Sequence, residues 1–345
     1  MRAFFLKSLS SLSLVLIIST FSCQKELHFP ENDSHLPAND KLVVKVLVLN
    51  YDPYLDVLGG GKKRIHEYYN WSDPHSLSSR YADALTEACG GFVNFSIVDF
   101  KDIDEFPVKA DGFRYTQAEF KQSWQANTGF HNPDEVDYLK VLQDNNVVSL
   151  INSNKIDEVW LWGGPYFGYW EGAMAGPKAF NVNGGVYQNV NSNRAFVIMG
   201  FNYERELAEM LHSNSHRTEA TMSKVYGGWE VDKLTTTWAR FAANAKQSNG
   251  VAGVGSCHYP PNADSDYDYG NPNAVMSSAD DWLNFPNLTG QKKPVNRDTW
   301  GGPDYHLNYM KWWYKHLPRI SGTDSEGKLL NWWRYIYDFN ETILK

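Results

Sequence analysis

Two histidines four residues apart, His212 and His216, lie in the segment 206–222 with a glutamate three residues to either side, Glu209 and Glu219. Imidazoles at that spacing share one face of a helix and reach a single metal ion, as they do in zinc metalloproteases. The metalloprotease motif puts a glutamate directly after the first histidine, and here Ser213 stands in that place. Glu209 or Glu219 would then have to supply the third ligand or the base. Without a metal, His216 and Glu219 form an acid–base pair. At about 100° per residue, Leu207, Met210, Leu211, Asn214, Thr218 and Met222 share one side of the helix, while Arg205, Glu209, His212, His216 and Glu219 form a stripe nearly opposite. Such a stripe is either a solvated face or the wall of a cleft beneath a second lobe, and the sequence leaves metal, acid–base and solvated readings open.

A second concentration of polar residues lies in "HYPPNADSDYDYGNP", from His258 onward. Asp264, Asp266 and Asp268 alternate as calcium ligands do, because a hard cation gathers several oxygens from a short bend. Tyr269 replaces the glycine of the helix-loop-helix calcium motif and Val275 its closing glutamate, so the alternatives are a calcium loop of another kind and an acidic turn set by Pro260, Pro261 and Asn262. His258 follows an apolar run expected to be a buried strand, a place suited to a general acid or base. Calcium at the aspartates or zinc at the histidines is the divalent cofactor to test.

These residues need a scaffold. "KLVVKVLVLN" is a continuous valine-rich run, as expected of a strand covered on both faces. "LSSRYADALTEACGG" has helical spacing and ends in glycines that can cap it. "FVNFSIVDF", "KIDEVWLWGG" and "RAFVIMGF" are further strands, with a helical stretch at "DEVDYLKVLQDNNVVSLINSN" between them. The alternation predicts one α/β domain over 42–345, with a largely parallel central sheet flanked by helices and an aromatic-rich C-terminal cover of helices and loops. Such a sheet carries its site beyond the carboxyl ends of its strands. Asp52 follows the first strand, Tyr166, Tyr169, Trp170 and Glu171 follow "WLWGG", and Glu204 follows "RAFVIMGF". "LGGGKKR" fails as a phosphate loop, because Asp56 takes the first glycine's place and Lys63 that of the Ser/Thr.

The first residues read as an address. Arg2 and Lys7, a short apolar run and Ser22 directly before Cys23 resemble a bacterial lipoprotein signal, which implies cleavage after 22 and a lipid on Cys23. An ordinary secretory signal is the alternative. Residues 23–41 suit a flexible tether. The resemblance implies an exported protein, lipid-anchored to the membrane in the cell envelope, at the surface or in the periplasm. Of the remaining cysteines, Cys89 and Cys257, an exported protein could make a disulfide or leave two buried thiols.

A net charge of −8 argues against a nucleic-acid partner. The 13 tryptophans and 20 tyrosines suit sugar stacking as well as core packing. The reading these observations favour is a hydrolase acting on glycans, with Glu171, Glu204, His216, Glu219 and His258 converging on a cleft and with Asp52, Tyr166, Tyr169 and Trp170 binding substrate. The alternatives are a glycan-binding lipoprotein without catalysis and a metallopeptidase that holds its ion at His212 and His216.

Overall fold

The computed structural model describes residues 41–345, so the signal, the lipidated Cys23 and nearly all of the tether lie outside the described residues. Eight strands lead into the site: β1 (Leu42–Tyr51), β2 (Tyr54–Asp56), β3 (Lys62–Arg64), β4 (Val93–Ile103), β5 (Glu158–Gly163), β6 (Gly172–Ala175), β7 (Val186–Tyr187) and β8 (Phe196–Asn202). The central sheet has six of them in the order β4-β1-β5-β8-β6-β7. β1 pairs in parallel with β4 and β5, and β5 with β8, while β6 runs antiparallel to β8. The expected α/β architecture is therefore present, with β6 and β7, parallel to each other, running against the other four strands. β5 is buried along its whole length, as its unbroken apolar run requires, and β4 is half exposed because it forms an edge.

β8 runs into the helix Leu207–Tyr226, the longest of the described residues and the one that carries the two histidines. The Glu209 carboxylate accepts from the backbone N–H of Glu206 at 3.2 Å, which ties the helix start to its first turn. Gly227, at φ 86°, ends the helix in the left-handed cap. Of the two readings of the polar stripe, the cleft wall is the one present, since Glu209 and His212 line a cleft. His212, Ser213, Asn214, Ser215, Arg217 and Thr218 are all buried, because other elements surround this helix.

Polar groups inside cost free energy unless they are paired, and Arg217 and Asn214 have partners, although the Arg217 Nε has none. Arg217, 1 % exposed, donates to Glu158 at 2.8 Å and to the Ile336 carbonyl at 2.9 Å, with its guanidinium 4.4 Å from the Tyr337 ring centre. Asn214 donates to the Tyr314 hydroxyl at 2.9 Å and accepts from Tyr337 at 3.0 Å. The C-terminal aromatics thus form core: Trp313, Trp332 and Trp333 are fully buried. Cys89 and Cys257 are both buried free thiols, so no disulfide joins them.

One glycine shapes the cleft directly. In the loop after β5, Gly168 has φ +85°, and a Cβ there would lie 1.6 Å from the Asp134 carbonyl oxygen. Only glycine allows the two segments to meet.

The Arg217–Glu158 pair yields a stability prediction. Glu158→Leu or Arg217→Met alone strands a buried charge and should cost about 3–5 kcal/mol. The double variant should recover much of that loss in urea unfolding, and equal, additive losses would show that the two charges do not depend on each other.

Candidate metal centre

The helix Leu207–Tyr226 puts His212 and His216 one turn apart, and a segment of irregular backbone brings His258 against them. The Nε2 atom of His216 lies 3.1 Å from Nε2 of His212 and 3.1 Å from Nε2 of His258. A tetrahedral zinc with Zn–N bonds of about 2.0–2.1 Å holds its nitrogens about 3.3–3.4 Å apart. The three rings therefore stand at nearly the spacing a shared ion imposes.

Their outer nitrogens set the tautomers. Nδ1 of His258 is 2.9 Å from Asp266, and Nδ1 of His216 is 3.5 Å from Glu219. Nδ1 of His212 is 3.2 Å from both the Tyr269 hydroxyl and Nε2 of His306. Tyr269 spends its own proton on the Cys257 carbonyl at 2.7 Å, so its oxygen is free to accept from His212. With the proton of each of these rings on Nδ1, beside its carboxylate or hydroxyl, the Nε2 lone pairs point inward. Three lone pairs aimed at one another repel unless a cation sits among them. That arrangement is the signature of metal-binding histidines.

The electrostatics differ from ring to ring. Burial, then repulsion from His216, His306 and His258, pulls the pKa of His212 down to about 2, so the ring is neutral. Burial also disfavours charge on His216, but the Glu219 carboxylate, with help from Glu171 and Asp266, leaves its pKa above the usual value. Burial, then Glu219, pushes the Cys257 thiol well up.

Cys257 is near enough to complete a four-residue group with the histidines, the ligand atoms lying within 4.8 Å of one another. Its Sγ lies 3.4 Å from Nδ1 of His216 and 3.9 Å from Nε2, and its thiol donates to Glu219 at 3.2 Å. The sulfur thus sits behind the His216 ring and braces Glu219, which also accepts from the Cys257 backbone N–H at 2.8 Å. Counted without the sulfur, the three imidazoles would leave one side of an ion free. On that side stand Glu171, whose Oε2 is 3.6 Å from Nε2 of His216, and Tyr267, whose hydroxyl is 3.2 Å from Nε2 of His258.

This free side opens into a cleft of about 570 Å³ lined by the loop after β5, the end of β8 and the helix start, with Tyr166, Tyr169, Glu171, His212, Tyr267 and His306 among its walls. The strand ends do frame the cleft. Of the residues expected from sequence, Glu171, His212, His216, Glu219 and His258 come together. Glu204 does not join them: it pairs with its neighbour Arg205 at 3.1 Å and lies outside the cleft lining. Asp52 is buried against His66 at 2.6 Å and stays away from the cleft. Tyr166 and Tyr169 line the cleft, while the Trp170 indole turns to Glu135 at 3.2 Å.

The three aspartates have separate duties instead of one ion. The Asn271 amide donates to Asp268 at 2.7 Å and to Asp264 at 3.4 Å, whereas Asp266 orients His258. The expected strand before His258 is absent as well, since residues 252–257 are buried but make only an isolated bridge, Ala252 to Ser277. Sequence reasoning missed His306, Tyr267 and Tyr269, and it weighed Cys257 only as a disulfide partner or a buried thiol, the second of which is present. The adjacency of Cys257 and His258 was the available signal, because consecutive donor residues are typical of a metal-binding bend.

The chain matches no protein-family model, no curated protein and no solved structure.

The geometry predicts about one equivalent of zinc per chain, lost in His212→Ala and His258→Ala and kept in Cys257→Ser. Elemental analysis of purified protein reads this directly. A Cys257→Ser variant that loses its zinc would make the sulfur a ligand and close the site. Zinc at a hundred times its dissociation constant should raise folding stability by about 2.7 kcal/mol in the wild type and not in His258→Ala.

Proposed function

We propose that the protein is an exported hydrolase that uses a metal ion held by His212, His216 and His258. The observation that carries this reading is the convergence of three Nε2 atoms, each with its Nδ1 occupied, on a centre that keeps a free side toward a cleft. A closed set of four protein ligands serves structure, and three ligands with a position left over serve catalysis. An ion in such a site supplies Lewis acidity and lowers the pKa of a coordinated water.

The chain's own residues divide the remaining work. Glu171, on the free side and 44 % exposed, accepts the proton of the attacking water and returns it to the leaving group, held in place by the Asn183 amide. Glu219 and Asp266 keep His216 and His258 in the tautomer that presents Nε2. The cleft supplies the reactants' space, and Tyr166 offers an exposed ring at its rim, stacked on Phe130 with centroids 3.4 Å apart.

The reaction this arrangement suits is hydrolysis of an amide or ester bond, because a carbonyl oxygen can be polarised from the free side while Glu171 directs water. Peptides and acylated glycans are the two substrate classes. The exposed Tyr166 ring favours the glycan, since aromatic faces stack on sugars. A glycosidase working by two carboxylates is less well supported: Glu204 lies outside the cleft lining, and Glu219 is committed to Cys257.

Turnover of acetylated oligosaccharides and of unstructured peptides should vanish after dialysis against chelator and return with zinc. Glu171→Gln should retain zinc and lose turnover by about 100-fold or more, in the range of a missing general base. Metal-loaded protein inert toward both substrate classes, or as active in Glu171→Gln as in wild type, would defeat the proposal. For the anchor, Cys23→Ala should release the protein from the membrane fraction, because one lipidated cysteine is the whole attachment in this reading. Continued sedimentation with membranes would contradict it.

A further inference from the structure

The mouth of the metal centre holds a residue with no structural reason to be where it is. Tyr267 is 53 % exposed, yet its backbone has φ 59°, a left-handed conformation that an aromatic side chain adopts only at an energetic cost. Its backbone N–H donates to the His258 carbonyl at 3.0 Å, closing a loop that lays the ring against the His258 imidazole with centroids 4.4 Å apart. The Tyr267 ring is also stacked with His212 at 5.5 Å. A half-exposed ring gains little from burial here, so packing does not account for the strained turn.

What the turn achieves is the position of the hydroxyl. It lies 3.2 Å from Nε2 of His258, the spacing found between the ligand nitrogens themselves, which are 3.1 Å apart. An oxygen and a nitrogen bound to one tetrahedral ion stand at about that spacing. The similarly strained Tyr166, at φ 61°, has an anchored reason for its conformation, because the buried Lys109 ammonium holds its carbonyl oxygen at 2.6 Å. The Tyr267 carbonyl accepts only from the N–H of Tyr269 two residues on, at 2.9 Å, a bond inside the same turn.

We propose that Tyr267 is a fourth, displaceable ligand of the metal held by His212, His216 and His258. This inference rests on the three-histidine reading and extends it to the resting state of the site. With the ion in place, the hydroxyl oxygen forms the bond to the metal from a lone pair, and the phenol proton leaves to solvent at the cleft mouth. The exposure of the ring lets it swing off when a substrate carbonyl takes its place. Glu171 is not displaced by this motion, because it approaches from the His216 side.

The test uses copper(II) alone as the probe, loaded into the mature full-length chain after chelator treatment. Phenolate bound to copper(II) gives a visible charge-transfer band that imidazole ligands do not produce. Wild-type protein should bind one copper per chain and show the band. Tyr267→Phe should bind one copper and lack it, and Tyr269→Phe should keep it. A band that persists in Tyr267→Phe, or wild-type protein carrying one copper without the band, overturns the tyrosine ligand and leaves the three histidines intact. If His258→Ala binds copper as well as wild type does, the histidine centre falls and Tyr267 falls with it. An unchanged thermal midpoint of metal-free Tyr267→Phe shows that the variant is folded.

Discussion

Arg217 cannot carry its charge inside the protein without Glu158, and the placement of the histidine cluster depends on that pair. Glu158 opens β5 at the middle of the sheet, and Arg217 follows His216 directly on the helix. Adjacent residues on a helix point about 100° apart, so fixing the guanidinium against the sheet fixes the rotation of the helix and with it the direction of the His216 ring. A guanidinium is a better peg than an ammonium, because its planar fork satisfies Glu158 and the Ile336 carbonyl at once. The Asn214 amide, caught between Tyr314 and Tyr337, fixes the same rotation from the other side. The C-terminal aromatics reach the site through these bonds, and His306 of the same region covers His212 at the cleft.

The helix rotation explains why two residues of one cluster shift in opposite directions. His212 faces other imidazoles and a phenol, so nothing nearby compensates a positive charge and the ring stays neutral. His216 faces Glu219 and Glu171, and those carboxylates outweigh its burial. Glu209, 3.9 Å from His306, adds a further acidic group beside the rings. A pocket whose fixed charges are carboxylates and whose inward groups are lone pairs has an electrostatic demand for a cation. Nitrogen donors of this kind select zinc or a neighbouring transition metal over calcium, which prefers oxygen.

Much of this was legible in the sequence, and the rest was hidden for identifiable reasons. The unbroken apolar runs of β1, β5 and β8 announced a covered parallel sheet, and the four-residue spacing of His212 and His216 announced a shared helix face. The burial of that face was not legible, because amphipathic arithmetic assumes one apolar side, and this helix is surrounded by partners that accept its polar groups individually. The aspartates misled for a related reason. Their alternation is real, but an asparagine three residues after Asp268 donates to it, and Asp266 turns to His258. His258 was found from a strand that does not form. The residue does join the cluster although the strand is absent, since a buried irregular segment and a buried strand have the same apolar composition.

That segment carries the remaining weight of the architecture. From Ala242 to Ala274 the chain has no regular element, although most of residues 252–263 are buried. A stretch of that length without helix or strand is uncommon in a compact domain unless it serves a site. Its backbone is satisfied by asparagine amides: Asn262 donates to the carbonyls of Asn271 and Asn273, Asn271 returns a bond to the Asn262 carbonyl, and Asn244 holds that of Ala263. Short side chains acting as local backbone partners permit a path that no ladder would allow. The path delivers Cys257, His258, Asp266, Tyr267 and Tyr269 to one imidazole cluster from within a dozen or so residues. Two ligands come from a rigid helix and one from this segment, so an ion at their centre would be the strongest link between them. Metal binding and the order of the segment are then one equilibrium, because each supplies what the other lacks.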